Sequence, residues 1–178
     1  MRLRTEKGFG LIELLMAMVM LNIGILAIVA AFSSGMFALN RASKTSTASA
    51  LADAQMELYR AIPYASIFLD TTAVGSVDNT YKCDSALGAS CPNGTTALLK
   101  ATCPGVPNEC NPSRQVTGAD RKKYRVDTYI MMSTATTSPP TPTNGRQVKI
   151  VTVVVRDANK LSARPLVRES STFDAAFG

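Results

Sequence analysis

The feature that most constrains this chain is an apolar stretch near its N-terminus. It runs from Phe9 to Phe32, and its 24 residues contain a single ionisable group, Glu13. A helix of this length is about 36 Å long, enough to cross the roughly 30 Å hydrocarbon core of a bilayer. A cleavable secretory signal has a shorter apolar region, of about 7–15 residues, followed by a small-residue cleavage site. The stretch therefore predicts a membrane-spanning helix.

The charges before this stretch predict its orientation. Arg2, Arg4 and Lys7 precede it, opposed only by Glu6. Positive charge is enriched on the cytoplasmic side of membrane segments, so we expect the N-terminus in the cytoplasm. The chain from about Asn40 onward is then expected outside the cytoplasmic membrane, in a single-pass arrangement.

The composition excludes most catalytic chemistry. The 178 residues include no His, which removes Ser-His-Asp and Cys-His arrangements and imidazole metal ligands. No other acid–base or nucleophilic group of residues is visible, and carboxylates such as Asp120 and Asp127 are expected at the surface. We therefore expect no enzyme activity, no cofactor and no metal site.

Glu13 sets this stretch apart from an ordinary membrane anchor. A carboxylate within an apolar helix costs about 2.5–3.5 kcal/mol on insertion scales. Glu13 lies near one end of the stretch, so its side chain could reach the headgroups. The surrounding residues Lys7-Gly-Phe-Gly-Leu-Ile-Glu13, however, resemble the processing signal of type IV prepilins and of the pseudopilins of type II secretion.

This resemblance implies a specific maturation and a set of partners. A prepilin peptidase would cut between Gly8 and Phe9, Phe9 would become the N-methylated first residue, and Glu13 would be the assembly carboxylate. Gly10 departs from the Thr or Ser that is more usual at its position. The implied partners are other pilin subunits, the peptidase and methyltransferase, the inner-membrane pilus assembly machinery and membrane lipid.

Physical chemistry gives Glu13 a role in such an assembly. The amino group released by cleavage has a reference pKa of about 7.7–8.0 and is mostly charged at neutral pH. A neighbouring subunit's ammonium group would neutralise Glu13 in apolar surroundings, where either charge alone is unfavourable. Glu13 would thereby specify where the next subunit docks.

The helix is predicted to continue beyond the membrane to Ile62. Its apolar positions Ala48, Leu51, Leu58 and Ile62 recur at helical spacing with Gln55 between them, and Pro63 ends the pattern. An unbroken helix from Phe9 to Ile62 is about 80 Å long. At Asn22 and Gly24 the membrane half could bend or melt locally, or Gly24 could instead permit close helix approach.

The end of this helix carries a second resemblance. Glu57, Arg60, Pro63 and Tyr64 lie in an Ala-rich segment that is similar to the helix end of minor pilins of the PilV kind and of I-type pseudopilins. Such subunits initiate filaments or occupy their tips. Without that resemblance, Glu57 and Arg60 are a solvated i, i+3 pair worth a few tenths of a kcal/mol.

Strand patterns dominate the distal third of the chain. Residues Tyr124–Met132 alternate as a half-buried strand does, and Val148–Arg156 is apolar on both faces, as in a central strand. Leu166–Phe173 is expected as an edge strand, and the Pro-rich segment Ser138–Gly145 as a loop. An antiparallel sheet packed on the second half of the helix buries these faces.

We therefore predict an α+β, pilin-like fold with four parts. These are a leader peptide (1–8), a transmembrane and assembly half of the helix (9–35), an extracytoplasmic amphipathic half (36–63) and a globular head (64–178). Within the head, residues 64–118 are expected as a loop region that holds every cysteine, and residues 119–178 as the sheet.

The four cysteines, Cys83, Cys91, Cys103 and Cys110, form no Cys-x-x-Cys pair. A thiolate zinc site usually shows closer pairs, whereas extracytoplasmic thiols tend to oxidise, so disulfides are favoured. Four cysteines allow three pairings. We prefer the sequential one, Cys83 with Cys91 and Cys103 with Cys110.

One basic cluster remains, Arg121, Lys122, Lys123 and Arg125. It could contact DNA or another anionic surface, but we favour a solvated face and expect no nucleic-acid partner.

The two resemblances together imply a minor type IV pilin. The alternatives are a type II secretion pseudopilin and a filament-tip subunit for adhesion or DNA uptake.

Overall fold

The computed structural model describes residues 10–87, 91, 94–134 and 147–175. The predicted leader 1–8, Phe9 and the predicted loop Ser138–Gly145 lie outside these residues. The chain divides into two compact units, Met1–Ala42 and Ser43–Gly178.

The first element is helix α1, Leu11–Ala61, with 51 residues. Its first turn begins at Gly10, whose carbonyl accepts hydrogen bonds from the backbone N–H groups of Glu13 and Leu14 at 2.9 and 3.2 Å. It ends two residues before Pro63, as the missing N–H of proline requires. The helix is unbroken across Asn22 and Gly24, where a bend or local melting was one alternative.

The main sheet has four antiparallel strands in the order β3-β4-β5-β6. Their bounds are β3 Ser113–Thr117, β4 Lys123–Thr134, β5 Gln147–Asp157 and β6 Val167–Asp174. The predicted α+β class, the interior position of β5 and the edge position of β6 are confirmed. The predicted loop region 64–118 is wrong at its end, because β3 lies within it and pairs with β4 from Ser113↔Asp127 to Thr117↔Lys123.

Short elements connect α1 to this sheet. Strands β1 (Leu69–Asp70) and β2 (Lys100–Ala101) form a parallel pair, and helices α2 (Thr71–Gly75) and α3 (Asn79–Lys82) lie between them. Among the described residues there are also three 3₁₀ turns, at Tyr64–Ser66, Ser85–Leu87 and Gly94–Ala97.

One face of the main sheet packs on the second half of α1, and we call it the helix face. Five residues of α1 are buried there: Ala48, Ala52, Gln55, Met56 and Tyr59. The predicted stripe is therefore correct at Ala48 and Gln55, whereas Leu51, Leu58 and Ile62 are only half-buried. The small side chains of Ala48 and Ala52 let the helix approach the sheet, and the Tyr59 hydroxyl donates to the Glu109 carbonyl at 2.6 Å.

The opposite face, which we call the outer face, is also covered. Strand β4 is buried at every residue from Tyr124 to Ile130, so the prediction of a half-buried strand is wrong. Residues 71–87, the covering segment, lie over this face. The Tyr81 ring stacks on the Tyr129 ring at 4.3 Å between centroids, and the Tyr81 hydroxyl donates to the Thr128 carbonyl at 2.5 Å.

The cysteines form the preferred sequential pairs, Cys83 with Cys91 and Cys103 with Cys110. The second pair is held close to β1. The Asp70 backbone N–H donates to the Cys110 carbonyl at 2.9 Å, and the Asp70 carboxylate accepts the Cys103 backbone N–H at 3.0 Å. The disulfides thus fix segments that have few apolar residues of their own.

Gly118 offers a test of the packing between α1 and the sheet. A Cβ at this position would lie 2.6 Å from Thr47 Cγ2 and 2.7 Å from a ring carbon of Tyr124. Gly118→Ala should therefore lower the free energy of unfolding by about 1–3 kcal/mol. Melting of the full chain in detergent micelles, followed by the near-UV circular dichroism of its tyrosines, measures this change.

Gly75→Ala is the matched control, because a Cβ there meets no atom within 4 Å among the described residues. Gly75 is the last residue of α2, and its replacement by Ala should not measurably change the free energy of unfolding. Equal melting temperatures for the two variants would contradict the close approach of Thr47 to Gly118.

Candidate functional site

The candidate site is the first part of α1, whose apolar side chains are not covered by any of the residues that the structure describes. Every residue from 10 to 43 is exposed. The large apolar side chains here are between 47% and 85% accessible. An 18-residue window of this helix has a mean hydropathy of 2.6, so the helix is long and apolar enough to cross a membrane. Surface of this kind needs lipid or another protein against it.

Glu13 is the only charged residue between Gly10 and Asn40. It is exposed in the first turn of α1 and makes no ion pair with any residue that the structure describes. The two residues expected on either side of the cleavage point, Gly8 and Phe9, lie outside the described residues. Among the described residues, the Glu13 carboxylate therefore has no counter-charge, and its neighbours along the helix are apolar.

Glu13 shares one face of the helix with small residues. Successive residues of an α-helix are rotated by 100° around its axis. The residues that point within about 40° of the direction of Glu13 form what we call the small-residue face. It comprises Glu13, Ala17, Met20, Gly24, Ala27, Ala31, Gly35 and Ala38. The opposite face carries Asn22 and bulky residues that include Leu15, Leu26 and Val29. Small residues on a membrane helix let a second helix approach closely.

The glycines on this face are not explained by packing within the chain. A Cβ at Gly24 or at Gly35 would meet no described atom within 4 Å. An apolar groove of about 460 Å³ lies along Gly35, between side chains that include Phe32 and Met36. No described atom therefore lies against the small-residue face at these glycines, and close helix approach at Gly24 stays a prediction.

The head contains a buried ion cluster that the sequence analysis missed. Asp127 is 0% accessible, so its expected surface position is wrong. One of its oxygens accepts from Ser113 Oγ at 2.6 Å and from Arg125 Nε at 2.7 Å. The two Nη atoms of Arg125 donate to the Asp78 carboxylate at 2.5 and 2.8 Å. Arg125 is thus a buried ion-pair partner and not part of a solvated basic face.

The cluster continues through Asp84, which pairs with Arg156 and, at 2.6 Å, with Arg168. Asp78 and Asp84 belong to the covering segment and the arginines to the outer face, so these ion pairs hold the segment on the sheet. The Asp127 oxygen that lacks a hydrogen bond lies 3.6 Å from Arg156 Nε.

The carboxylates of this cluster differ in the direction of their pKa shifts. The hydrogen bonds from Arg125 lower the pKa of Asp78. Burial opposes ionisation of Asp84, but the Ala86 backbone N–H and Arg168 outweigh it and lower the pKa of that carboxyl. Burial raises the pKa of Asp127, in spite of Ser113 and Arg125. Asp78 and Asp84 therefore stabilise the fold above their unfolded pKa values, and their contribution is lost as the pH falls.

The other members of the basic cluster remain accessible. Arg121 and Lys123 are exposed, and Lys122 lies 3.6 Å from the Asp120 carboxylate. Asp120 is itself only 13% accessible and accepts a hydrogen bond from the Tyr124 hydroxyl at 2.7 Å, so its expected surface position is also wrong. The residues that sequence reasoning misplaced are those next to the β3–β4 turn and the covering segment, neither of which the sequence analysis identified.

Comparisons of the chain with protein-family models, curated proteins and solved structures found no match. The described residues contain no group of three or more Cys, Asp or Glu that could hold a metal ion. The function must therefore be inferred from the residues of this chain.

The ion cluster leads to a stability prediction. Asp127→Ala removes the carboxylate that lies between Arg125 and Arg156, although each arginine keeps its pair with Asp78 or Asp84, and it should lower the free energy of unfolding by about 1–3 kcal/mol. The control is Glu57→Ala, which removes the exposed ion pair with Arg60 and should cost less than about 0.5 kcal/mol. Urea unfolding of the full chain in micelles measures both, and comparable losses would contradict a structural role for the buried cluster.

Proposed function

We propose that this chain is a membrane-anchored structural subunit of the type IV pilin and pseudopilin kind, most like a minor pilin. In this proposal it is cleaved after Gly8, methylated at Phe9 and inserted into a filament through its N-terminal helix. The observation that supports it best is the lone Glu13 on the small-residue face of the first part of α1, which no other described residue covers.

Because the first part of α1 is exposed and apolar, such a subunit needs lipid around it before assembly and other helices around it in the filament. Burial of apolar surface contributes about 25 cal/mol per Å², so the segment is not stable against water. Lipid covers it before assembly. In a filament, the helices of neighbouring subunits replace the lipid, and the small residues around Gly24 and Gly35 permit them to pack closely.

Glu13 explains how the subunits find their register. The proposed cleavage creates an ammonium group at Phe9, about one helical turn before Glu13. When two subunits are staggered along the filament, the ammonium group of one lies beside the carboxylate of the other. Before assembly Glu13 can lie among the headgroups, so the two interpretations of this residue apply to two stages of one pathway.

The second unit fits the part of the chain outside the cytoplasm. All four cysteines are paired in disulfides, as is usual in an oxidising compartment. The orientation with the N-terminus in the cytoplasm rests on the charges of Arg2, Arg4 and Lys7. A secretion pseudopilin shares all these features, and isolation of the chain from surface pili or from periplasmic pseudopili separates the two.

Glu13→Leu tests the proposed function. The substitution removes a charge that opposes insertion, so the protein should remain in the membrane fraction. Its incorporation into sheared filaments should fall at least about tenfold, since it loses the charge pair with the neighbouring subunit. Quantitative immunoblotting of membranes and sheared filaments measures the two pools.

Asn22→Leu is the matched control. Asn22 is also polar, lies in the same helix on the opposite face, and donates to its own Met18 carbonyl at 2.9 Å. This variant should assemble as the parent does. Normal filament incorporation of Glu13→Leu would refute the proposal.

A further inference from the structure

Three segments of the second compact unit meet at one of its ends. They are the part of α1 with which this unit begins, the β3–β4 turn and the connection from β5 to β6. The Ala158 backbone N–H donates to the Lys123 carbonyl at 3.1 Å, which joins the connection to the turn. Lys44 Nζ of α1 lies 2.7 Å from the Asp157 carboxylate of β5. We call residues 43–47, 118–123 and 157–166 together the basic end.

The basic end carries all the net charge of this unit. It has six basic and two acidic residues, a net charge of +4 at neutral pH. The rest of the unit from Ser43 to Gly178 has nine basic and nine acidic residues and is therefore neutral. The six cations are distant in sequence and are brought together by the fold: Lys44, Arg121, Lys122, Lys123, Lys160 and Arg164.

The two carboxylates of the basic end are already engaged within it. Asp157 pairs with Lys44, and Asp120 lies 3.6 Å from Lys122 Nζ and accepts a hydrogen bond from the Tyr124 hydroxyl. Four cations are exposed and form no ion pair with a carboxylate that the structure describes: Arg121, Lys123, Lys160 and Arg164. The accessible charge of this end is therefore positive.

The conformation of the β3–β4 turn does not account for its arginine. Arg121 has a backbone φ of 60°, in the left-handed region that favours Gly and Asn because a Cβ there crowds the following carbonyl oxygen. An arginine at this position is unfavourable for the backbone, but it places an exposed guanidinium group on the turn. Strained positions of this kind are frequent where a protein binds a ligand.

The basic end is also where the chain enters this unit from the apolar part of α1. The helix from Glu13 to Ser43 is about 45 Å long. A bilayer with both of its headgroup layers is about 40–45 Å thick. When Glu13 lies among the headgroups on one side, Ser43 therefore emerges among the headgroups on the other side, and Lys44 follows it directly.

We propose that the basic end binds the anionic headgroups of the bilayer in which its own helix is anchored. The phosphate groups of anionic lipids such as phosphatidylglycerol supply the negative charge that the exposed cations lack, and they lie where the helix emerges. The contact holds the second unit on the membrane surface before assembly. The inference rests on the membrane anchoring in the proposed function and does not depend on cleavage or on a filament.

The acetylation rates of single lysines test this contact. The full-length chain is placed, one copy per nanodisc, in phosphatidylcholine alone or in phosphatidylcholine with phosphatidylglycerol. A brief pulse of acetic anhydride transfers an acetyl group to each uncharged amine and releases acetate, and peptide mass spectrometry measures the extent at every lysine. Lys122 and Lys160 should react at least about threefold more slowly with phosphatidylglycerol present, because bound phosphate keeps an amine charged. About 0.5 M NaCl should abolish the difference.

Lys100 is the internal control. It is exposed, and the backbone N–H of its neighbour Leu99 donates to the Ile130 carbonyl at 2.7 Å. Ile130 is about 23 Å along β4 from Lys123, more than twice the screening length at physiological salt. Lys100 should therefore react equally in both kinds of nanodisc. Equal slowing of Lys100 and Lys160, or no slowing at all, would overturn the inference.

Arg121→Gln with Lys123→Gln separates binding from simple closeness to the membrane. This variant should return Lys160 to its rate in phosphatidylcholine alone, whereas Arg121→Lys with Lys123→Arg keeps both charges and should retain the slowing. The matched control is Lys82→Gln with Lys100→Gln, which removes the same charge outside the basic end and should also retain it. Unchanged slowing of Lys160 in the first variant would overturn the inference.

A short DNA duplex added to the phosphatidylcholine nanodiscs tests the other anionic partner. Slowing of Lys122 and Lys160 by the duplex, without slowing by phosphatidylglycerol, would overturn the inference. The nanodiscs hold single copies and no assembly machinery. Normal filament incorporation of Glu13→Leu in cells would therefore refute the proposed function alone, and equal acetylation in the two kinds of nanodisc would refute only the lipid contact.

Discussion

The structure depends on one constraint, which is that no described residue outside α1 covers the first part of this helix. Every described residue up to Ser43 is exposed, and Glu13 is the only charged residue between Gly10 and Asn40. An apolar surface of this size is stabilised by contact with lipid or with another protein, and an ordinary membrane anchor has no need of a carboxylate. Both features are accounted for if lipid covers the helix first and other subunits cover it later.

Helix α1 carries small residues in both of its parts. In the head, Ala48 and Ala52 are buried and bring the helix close to the sheet. In the first part, Ala31 and Gly35 are also small, but both are exposed and no described residue outside the helix lies against them. Small residues thus permit close packing within the molecule at one end of the helix and, in the proposed filament, between molecules at the other.

The sequence predicted those elements whose determinants are local. The length of α1, its end before Pro63, strands β5 and β6 and the pairing of the cysteines all follow from residues close in the chain. The burial of Arg125 and Asp127 could not be predicted in this way. It depends on the covering segment, which is more than 40 residues away in sequence and attaches through Asp78 and Asp84.

The central claim is that the Glu13 carboxylate pairs with the ammonium group that cleavage creates at the N-terminus of a neighbouring subunit. Mass analysis of the N-terminal peptide, from protein isolated from cells with an active prepilin peptidase, tests it most directly. The account predicts a chain that begins with N-methylated Phe9. A chain that retains Met1, or any residue of the leader, in those cells would leave Glu13 without its proposed counter-charge and would contradict the account.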